Sequence, residues 1–344
     1  MTDIHIRVEG RAGRITLNRP DALNAVTYEM CLAIEQALIT WADNPVVALL
    51  IIDATGDRAF SAGGDLAEMY ETGTRGDFTY GQRFWADEYR MNRRLFEFPK
   101  PVVTFLHGFT MGGGVGVGCH GSHRIVGEDS QIAMPECGIG LVPDVGGSLL
   151  LARAPGRVGE YLGITGARMG PGDAIFAGFA DYYMPRAHWA SLIDTLCETA
   201  DWQAVDRSAL PAPDSPLAAA QPEIDRAFGG ETLRDILTIL ETTDSAFTRD
   251  ALKKINRNAP LAMACAVELV HRARTRDSIA EALRQEYRFT SRSMEQGDFL
   301  EGIRAQIIDK DRAPKWAHGA PRDVSPAEVA QMLRPVRAED APEI

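Results

Sequence analysis

Two carboxylates, Glu136 and Asp144, stand eight positions apart in Met134-Pro135-Glu136-Cys137-Gly138-Ile139-Gly140-Leu141-Val142-Pro143-Asp144-Val145-Gly146-Gly147, a stretch otherwise apolar or glycine. Burial in such surroundings disfavours the charged form, raises the pKa, and readies a carboxyl group to act as base or acid near neutrality. The competing reading pairs Glu136 with a buried arginine and makes Asp144 the N-cap of a helix over 145–154. Two earlier loops offer complementary chemistry. Ala59-Phe60-Ser61-Ala62-Gly63-Gly64-Asp65 places two glycines before a helix that could begin at Asp65, and a cap role for Asp65 is the alternative. Backbone N–H groups left uncovered at a helix start attract developing negative charge. The second loop, 108–118, carries the triplet Gly112-Gly113-Gly114. Consecutive glycines are costly to order, so the backbone there must approach something closely, either a ligand or another helix.

The elements that must position these loops alternate. Residues 12–18 read as a strand ending at the Arg19-Pro20 turn. From Thr27 to Asp43, Met30, Ile34, Ala37, Leu38 and Trp41 fall on one helical face. Val46 to Ile52 is a continuous apolar run, as in a strand covered on both faces. A helix over 82–97 ends at Pro99-Lys100-Pro101, and the strand Val102–Leu106 follows. Strands separated by helices of this length predict an α/β protein with a largely parallel sheet whose loops carry the working groups. The division expected along the chain is a core over 1–202, a Pro/Ala-rich linker or crossing over 203–224, and a helical region over 225–344. In that last region, Ser278 with Glu281 and Ser325 with Glu328 resemble capping boxes.

Composition narrows the class. The chain has 344 residues, with 45% hydrophobic and 24% charged, which is ordinary globular usage. A net charge of −12 with no basic patch argues against nucleic acid or an anionic membrane surface as partner. No signal peptide and no apolar run of about 20 residues is visible. Five scattered cysteines without a CxxC pair suggest a reduced, cytoplasmic protein with neither a disulfide frame nor a structural zinc.

Several motifs are set aside. Gly116-x-Gly118-x-x-Gly121 matches a dinucleotide fingerprint, but the strand-like Arg124-Ile125-Val126 leaves no room for the helix it must open. His120-x-x-His123 is too closely spaced for a metal site. Cys119 and Cys137 lack an activating partner and read as small buried hydrophobes, and His107 reads as a core residue or one that backs the site from behind. No GxSxG elbow exists.

The three loops, with Asn18-Arg19-Pro20-x-Ala22-Leu23-Asn24-Ala25, Phe60-x-Ala62-Gly63-x-Asp65, Gly112-Gly113-Gly114 and Pro135-Glu136, closely resemble the crotonase (enoyl-CoA hydratase/isomerase) superfamily. The resemblance implies a ββα spiral core with a helical C-terminal region, and an acyl-CoA ligand. It implies that the N–H groups of Gly64 and Gly113 hold the thioester oxygen, with Ala22, Leu23, Ala62, Asp65 and Gly112 around the bound ester. Hydratases carry a catalytic glutamate two residues beyond the glycine triplet, where this chain has Gly116, and a second one matching Glu136. Where they have glycine after a loop proline, this chain has Asp144. A lysine that contacts CoA in some hydratases corresponds to Asp21.

This combination is similar to the 3-hydroxyisobutyryl-CoA hydrolase branch. Its hallmarks stand here as Ala62-Gly63-Gly64-Asp65, Glu88-Tyr89, Ala133-Met134-Pro135-Glu136, Pro143-Asp144-Val145-Gly146-Gly147 and Asp309-Lys310-Asp311-x-x-Pro314-Lys315-Trp316. It implies hydrolysis of a short 3-hydroxyacyl-CoA, as in valine catabolism, with catalytic Glu136, Asp144, Gly64 and Gly113, no metal and no cofactor, and a trimer-based homo-oligomer. Two other readings stay open: an enoyl-CoA hydratase or isomerase, which Gly116 disfavours, and a non-catalytic acyl-CoA-binding protein.

Overall fold

The computed structural model describes residues 2–337 and 341–344. Its strands in chain order are β1 (Ile4–Glu9), β2 (Ala12–Leu17), β3 (Leu49–Ala54), β4 (Ala59–Ser61), β5 (Val102–Leu106), β6 (Phe109–Met111), β7 (His123–Val126), β8 (Gln131–Ala133) and β9 (Tyr182–Tyr183). The helices of the first half are α1 (Tyr28–Ala42), α2 (Ala67–Thr74), α3 (Thr79–Phe96), α4 (Gly113–Gly118), α5 (Gly147–Arg153) and α6 (Val158–Thr165). Those of the second are α7 (Pro171–Phe176), α8 (Trp189–Thr199), α9 (Ala204–Ser208), α10 (Pro216–Ala227), α11 (Leu233–Thr242), α12 (Ala246–Ile255), α13 (Pro260–Thr275), α14 (Ile279–Gln296), α15 (Phe299–Ile303) and α16 (Pro326–Met332). This is the expected α/β class. Among the described residues, no helix is long and apolar enough to cross a membrane.

Two compact units result, neither continuous in sequence. One comprises Met1–Asp65, Arg90–Ala133 and Arg168–Ala218; the other comprises Leu66–Tyr89, Met134–Ala167 and Ala219–Ile344. The partition 1–202, 203–224 and 225–344 cuts the same chain differently.

The first unit holds both sheets. Six strands run in the order β1-β2-β3-β5-β7-β9, and β4-β6-β8 form a second, three-stranded sheet. The β1–β2 pair is antiparallel; every other pairing is parallel. Strand β3 is buried along almost its whole length. Its alternation sends Leu49 and Ile51 to one face, where they pack with Val103, Phe105, Trp189 and Leu196 under α8. The strand starts at Leu49 rather than Val46 because Asn44 Oδ1 accepts the Val46 N–H at 2.9 Å and holds 44–47 in a turn. Helix α1 matches its periodicity, opening where the Thr27 hydroxyl accepts the Met30 N–H. Helix α3 starts earlier than its apolar pattern suggests, because Asp77 Oδ1 accepts the Thr79 N–H.

In the second unit, α13 packs against α5 and α6, and Tyr161, Phe228 and Phe247 form an aromatic cluster. Ser325 and Glu328 make the complete capping box of α16; at α14 the Ser278 hydroxyl accepts the Glu281 N–H. Residues 203–224 hold α9, a non-helical stretch over 209–215, and the start of α10, whose Pro222 lies inside the helix. The 145–154 helix is shorter than expected: α5 covers Gly147–Arg153.

Candidate active site

In the first unit, the parallel β4–β6 pairing sends the loops after both strands out at the same edge of the small sheet. The first loop carries Ala62, Gly63, Gly64 and Asp65; the second carries Gly112, Gly113 and Gly114. A Cβ on Gly114 would lie 2.5 Å from the Ser61 carbonyl oxygen, so glycine there permits direct packing of the two loops. The close approach expected of the triplet is therefore to backbone, at least at this position. Gly112 has φ 51° and ψ −122°, which only glycine adopts at ease.

Val26 donates its N–H to Gly63 O and accepts the Asp65 N–H, each at 2.8 Å. That bridge uses the groups on either side of Gly64 and turns the Gly64 N–H away from Val26. Gly113 is the first residue of α4, so its N–H has no intrahelical acceptor. Neither residue has a side chain of its own to cover its amide. Leu23 O accepts the Ala62 N–H at 3.0 Å, which joins the Ala22-Leu23 segment to the first loop. Leu23 and Asn24 both have φ 53°, and Asn24 fixes this turn by donating from Nδ2 to Thr55 O and Ala59 O. Asp65 accepts from Arg19 at 3.0 Å, and the N-cap of α2 is Leu66 rather than Asp65. His123 stacks on Tyr182, and His107 is buried.

The second unit contains Glu136 and Asp144, both 4% exposed. Glu136 opens a 3-10 turn over Glu136–Ile139, and its Oε2 has no hydrogen-bond partner among the described residues. Among the described residues no arginine pairs with it, contrary to one of the two expectations. Nor is Asp144 a helix cap: the N-cap of α5 is Gly146, and the Asp144 carboxylate accepts the Tyr89 hydroxyl at 2.6 Å. Two more buried acids belong to this cluster. Glu88 on α3 leaves Oε1 unpartnered. Glu286 on α14 accepts the Gly146 N–H at 2.8 Å, the Ser148 N–H at 3.0 Å and the Ser148 hydroxyl.

Burial is the main cause of high pKa values throughout this cluster. Asp144 is raised to about 7 despite the Tyr89 hydrogen bond, and Glu286 to about 7 despite its three donors. Glu136 and Glu88 are raised well above the usual carboxylate range, first by burial and then by the Asp144 charge. The Asp144 charge thus adds to burial in raising both groups. Carboxyl groups raised in this way can serve as acid or base nearer neutral pH than solvated ones. The two cysteines near the loops are buried thiols, with Cys119 pushed up to about 12 by burial and Cys137 also raised.

A family model described as "Enoyl-CoA hydratase/isomerase" matches residues 12–333. The chain belongs to this family. It is 32% identical to the "3-hydroxyisobutyryl-CoA hydrolase, mitochondrial" of Gallus gallus, across 98% of this chain and 90% of that protein. Among solved structures, an enoyl-CoA hydratase from Rhodobacter sphaeroides 2.4.1 is 56% identical, with a TM-score of 0.95 and complete coverage of both chains. A carnitinyl-CoA dehydratase from Mycobacterium thermoresistibile is 38% identical, with a TM-score of 0.94 and 99% coverage of each.

Sequence reasoning marks Glu88-Tyr89 only as landmarks and misses Glu286. One signal is present. Ile279, Leu283, Glu286, Thr290 and Met294 lie three or four apart on α14, and all are buried, so Glu286 occupies a position in the apolar stripe of the helix.

Proposed function

We propose that this family member hydrolyses a short 3-hydroxyacyl-CoA thioester, with 3-hydroxyisobutyryl-CoA as the favoured substrate. The observation that carries the reading is the buried Asp144 carboxylate, oriented by Tyr89 and ionising at about 7, in the same unit as Glu136, whose Oε2 has no partner among the described residues. Gly116 stands where a hydratase would need its other carboxylate, and the named hydrolase of Gallus gallus supports the same choice.

In this reading the Gly64 and Gly113 amides form an oxyanion hole for the thioester oxygen. Each preorganised donor contributes about 3 kcal/mol to the transition state. Ala22, Leu23, Ala62, Asp65 and Gly112 line the bound ester. Glu136 works by one of two routes: it attacks the carbonyl carbon to give an acyl anhydride that water then cleaves, or it takes a proton from the attacking water. In either route the C–S bond breaks, CoA leaves as thiolate and is protonated, and the acid product carries the oxygen from water. Asp144 hydrogen-bonds the 3-hydroxyl or the water. A buried partner for a substrate hydroxyl rejects esters that lack it, since the partner would be left unsatisfied. Neither route calls for a metal or cofactor. Five buried cysteines outside any disulfide suit a reducing compartment such as the cytoplasm.

The test is a paired assay with 3-hydroxyisobutyryl-CoA and crotonyl-CoA, following thiol release and enoyl absorbance together. Thiol release from the hydroxy ester alone is the expected result. Loss of enoyl absorbance without thiol release would replace this reading with hydration, the activity named for the Rhodobacter sphaeroides structure.

A further inference from the structure

The loop bearing Asp144 has an unusual backbone. Val145, a buried β-branched residue, has φ 53°, and Gly146 follows at φ 81°. A β-branched side chain in the left-handed region costs on the order of 1–3 kcal/mol and persists only when its surroundings over-determine it. Gly147 N–H closes the turn on Asp144 O at 2.7 Å. Three further donors, Gly146 N–H, Ser148 N–H and the Ser148 hydroxyl, converge on Glu286, which lies 140 residues from Gly146 in sequence.

Glu286 has no exposed surface, and the partners it is given are these amides and this hydroxyl rather than a cation. Successive N–H groups in a left-handed turn make an anion-binding concavity, and here the anion is the chain's own side chain. One turn further along α14, Thr290 Oγ1 lies 3.3 Å from the hydroxyl oxygen of Tyr89, the residue that donates to Asp144. A single face of α14 thus touches the Asp144 loop through its backbone and the Asp144 carboxylate through Tyr89.

We propose that Glu286 is a positioning residue: by gripping the Gly146 and Ser148 amides it holds Val145 left-handed and fixes the direction of the Asp144 carboxylate. The kinetic part of this inference rests on the hydrolase reading; the anchoring part does not. Glutamine at 286 keeps one acceptor oxygen but turns an NH₂ group toward a backbone donor. Glu286→Gln should lower kcat for the hydroxy ester about 10- to 100-fold, as expected of a displaced catalytic group, with KM changed less than about threefold. Hydrogen exchange of the Gly146 and Ser148 amides should quicken at least about tenfold, while the β3 and β5 amides stay protected.

Val145→Gly, added to Glu286→Gln, removes the steric objection to the left-handed turn and should restore part of kcat. A loss of global stability alone would not be repaired in this way. Wild-type kcat with unchanged exchange at Gly146 and Ser148 in Glu286→Gln overturns the proposal, as does a double variant no better than the single one. If the wild-type protein hydrolyses no 3-hydroxyacyl ester, the hydrolase reading fails. The exchange measurement then still decides whether Glu286 holds the loop.

Discussion

Glu160 and Glu136 are both buried glutamates of the second unit, and their surroundings are opposite. Glu160 accepts from Arg157 at 2.9 Å and Arg274 at 2.6 Å and lies 3.0 Å from His271 Nε2. Although burial pushes its pKa up, these partners together hold it below the usual carboxylate range. The charges that act on Glu136 are those of other acids, Asp144 and Glu286, and every carboxyl group of that cluster is pushed up. The cations around Glu160 satisfy its charge and leave it unreactive. The acids around Glu136 keep raised proton affinities, at a cost in stability that no ion pair among the described residues offsets.

The difference can be broken at several points. The largest effect is expected for Glu136→Gln, which should reduce hydrolysis of the hydroxy ester on the order of 10²- to 10⁴-fold, measured as thiol release per mole of folded protein. The mirror change, Glu160→Gln, should leave that specific activity within about twofold. It should lower unfolding stability by about 3 kcal/mol or more, read from urea melts, because it strips charge from a buried ionic network.

Asp144→Asn sharpens the contrast through pH. Native Asp144 ionises at about 7, against 3.8 for a solvated aspartate, so between those pH values the folded chain keeps a proton that the unfolded chain releases. Asp144 therefore subtracts stability as pH rises from about 4 to about 7, on the order of 1 kcal/mol for each pH step of one across that window. The asparagine variant should be more stable than wild type at pH 8, with the gap narrowing toward pH 5. Equal urea midpoints of the two proteins at pH 8 would contradict this. The smallest effect is that of Tyr89→Phe. Without the donor that holds it down, Asp144 should ionise at higher pH. The acid limb of the pH–rate profile should then move up by about one to two on the pH scale, the size expected for one hydrogen bond to a charged group.

Much of this arrangement is legible from residues alone, where local physics decides it. The period of α1, the β5 strand before Gly108 and the crowded glycines of the two loops depend on neighbours within a few residues. Membership of the family follows from the loops taken together. The start of β3 departs from the apolar pattern because Asn44 holds a turn inside the run. The partners of Asp144 and the role of Glu286 are out of reach for a different reason. Tyr89 meets Asp144 across 55 positions of sequence, and Glu286 meets Gly146 across 140. No local pattern encodes which distant donor a buried carboxylate will find. For the same reason, a cap and an acid are equally compatible with the sequence at Asp144.

The separation of Gly146 from Glu286 also has a consequence during synthesis. At roughly 5–20 residues per second, the ribosome spends on the order of 10 s adding the residues between the turn and its brace. Throughout that interval Asp144 and its strained valine have been made, while α14 has not. A nascent chain halted before Glu286 would carry every residue assigned to the reaction and still lack the support that aims one of them. Competence for turnover would thus arise late, and a chaperone that delays closure of the second unit would delay activity with it.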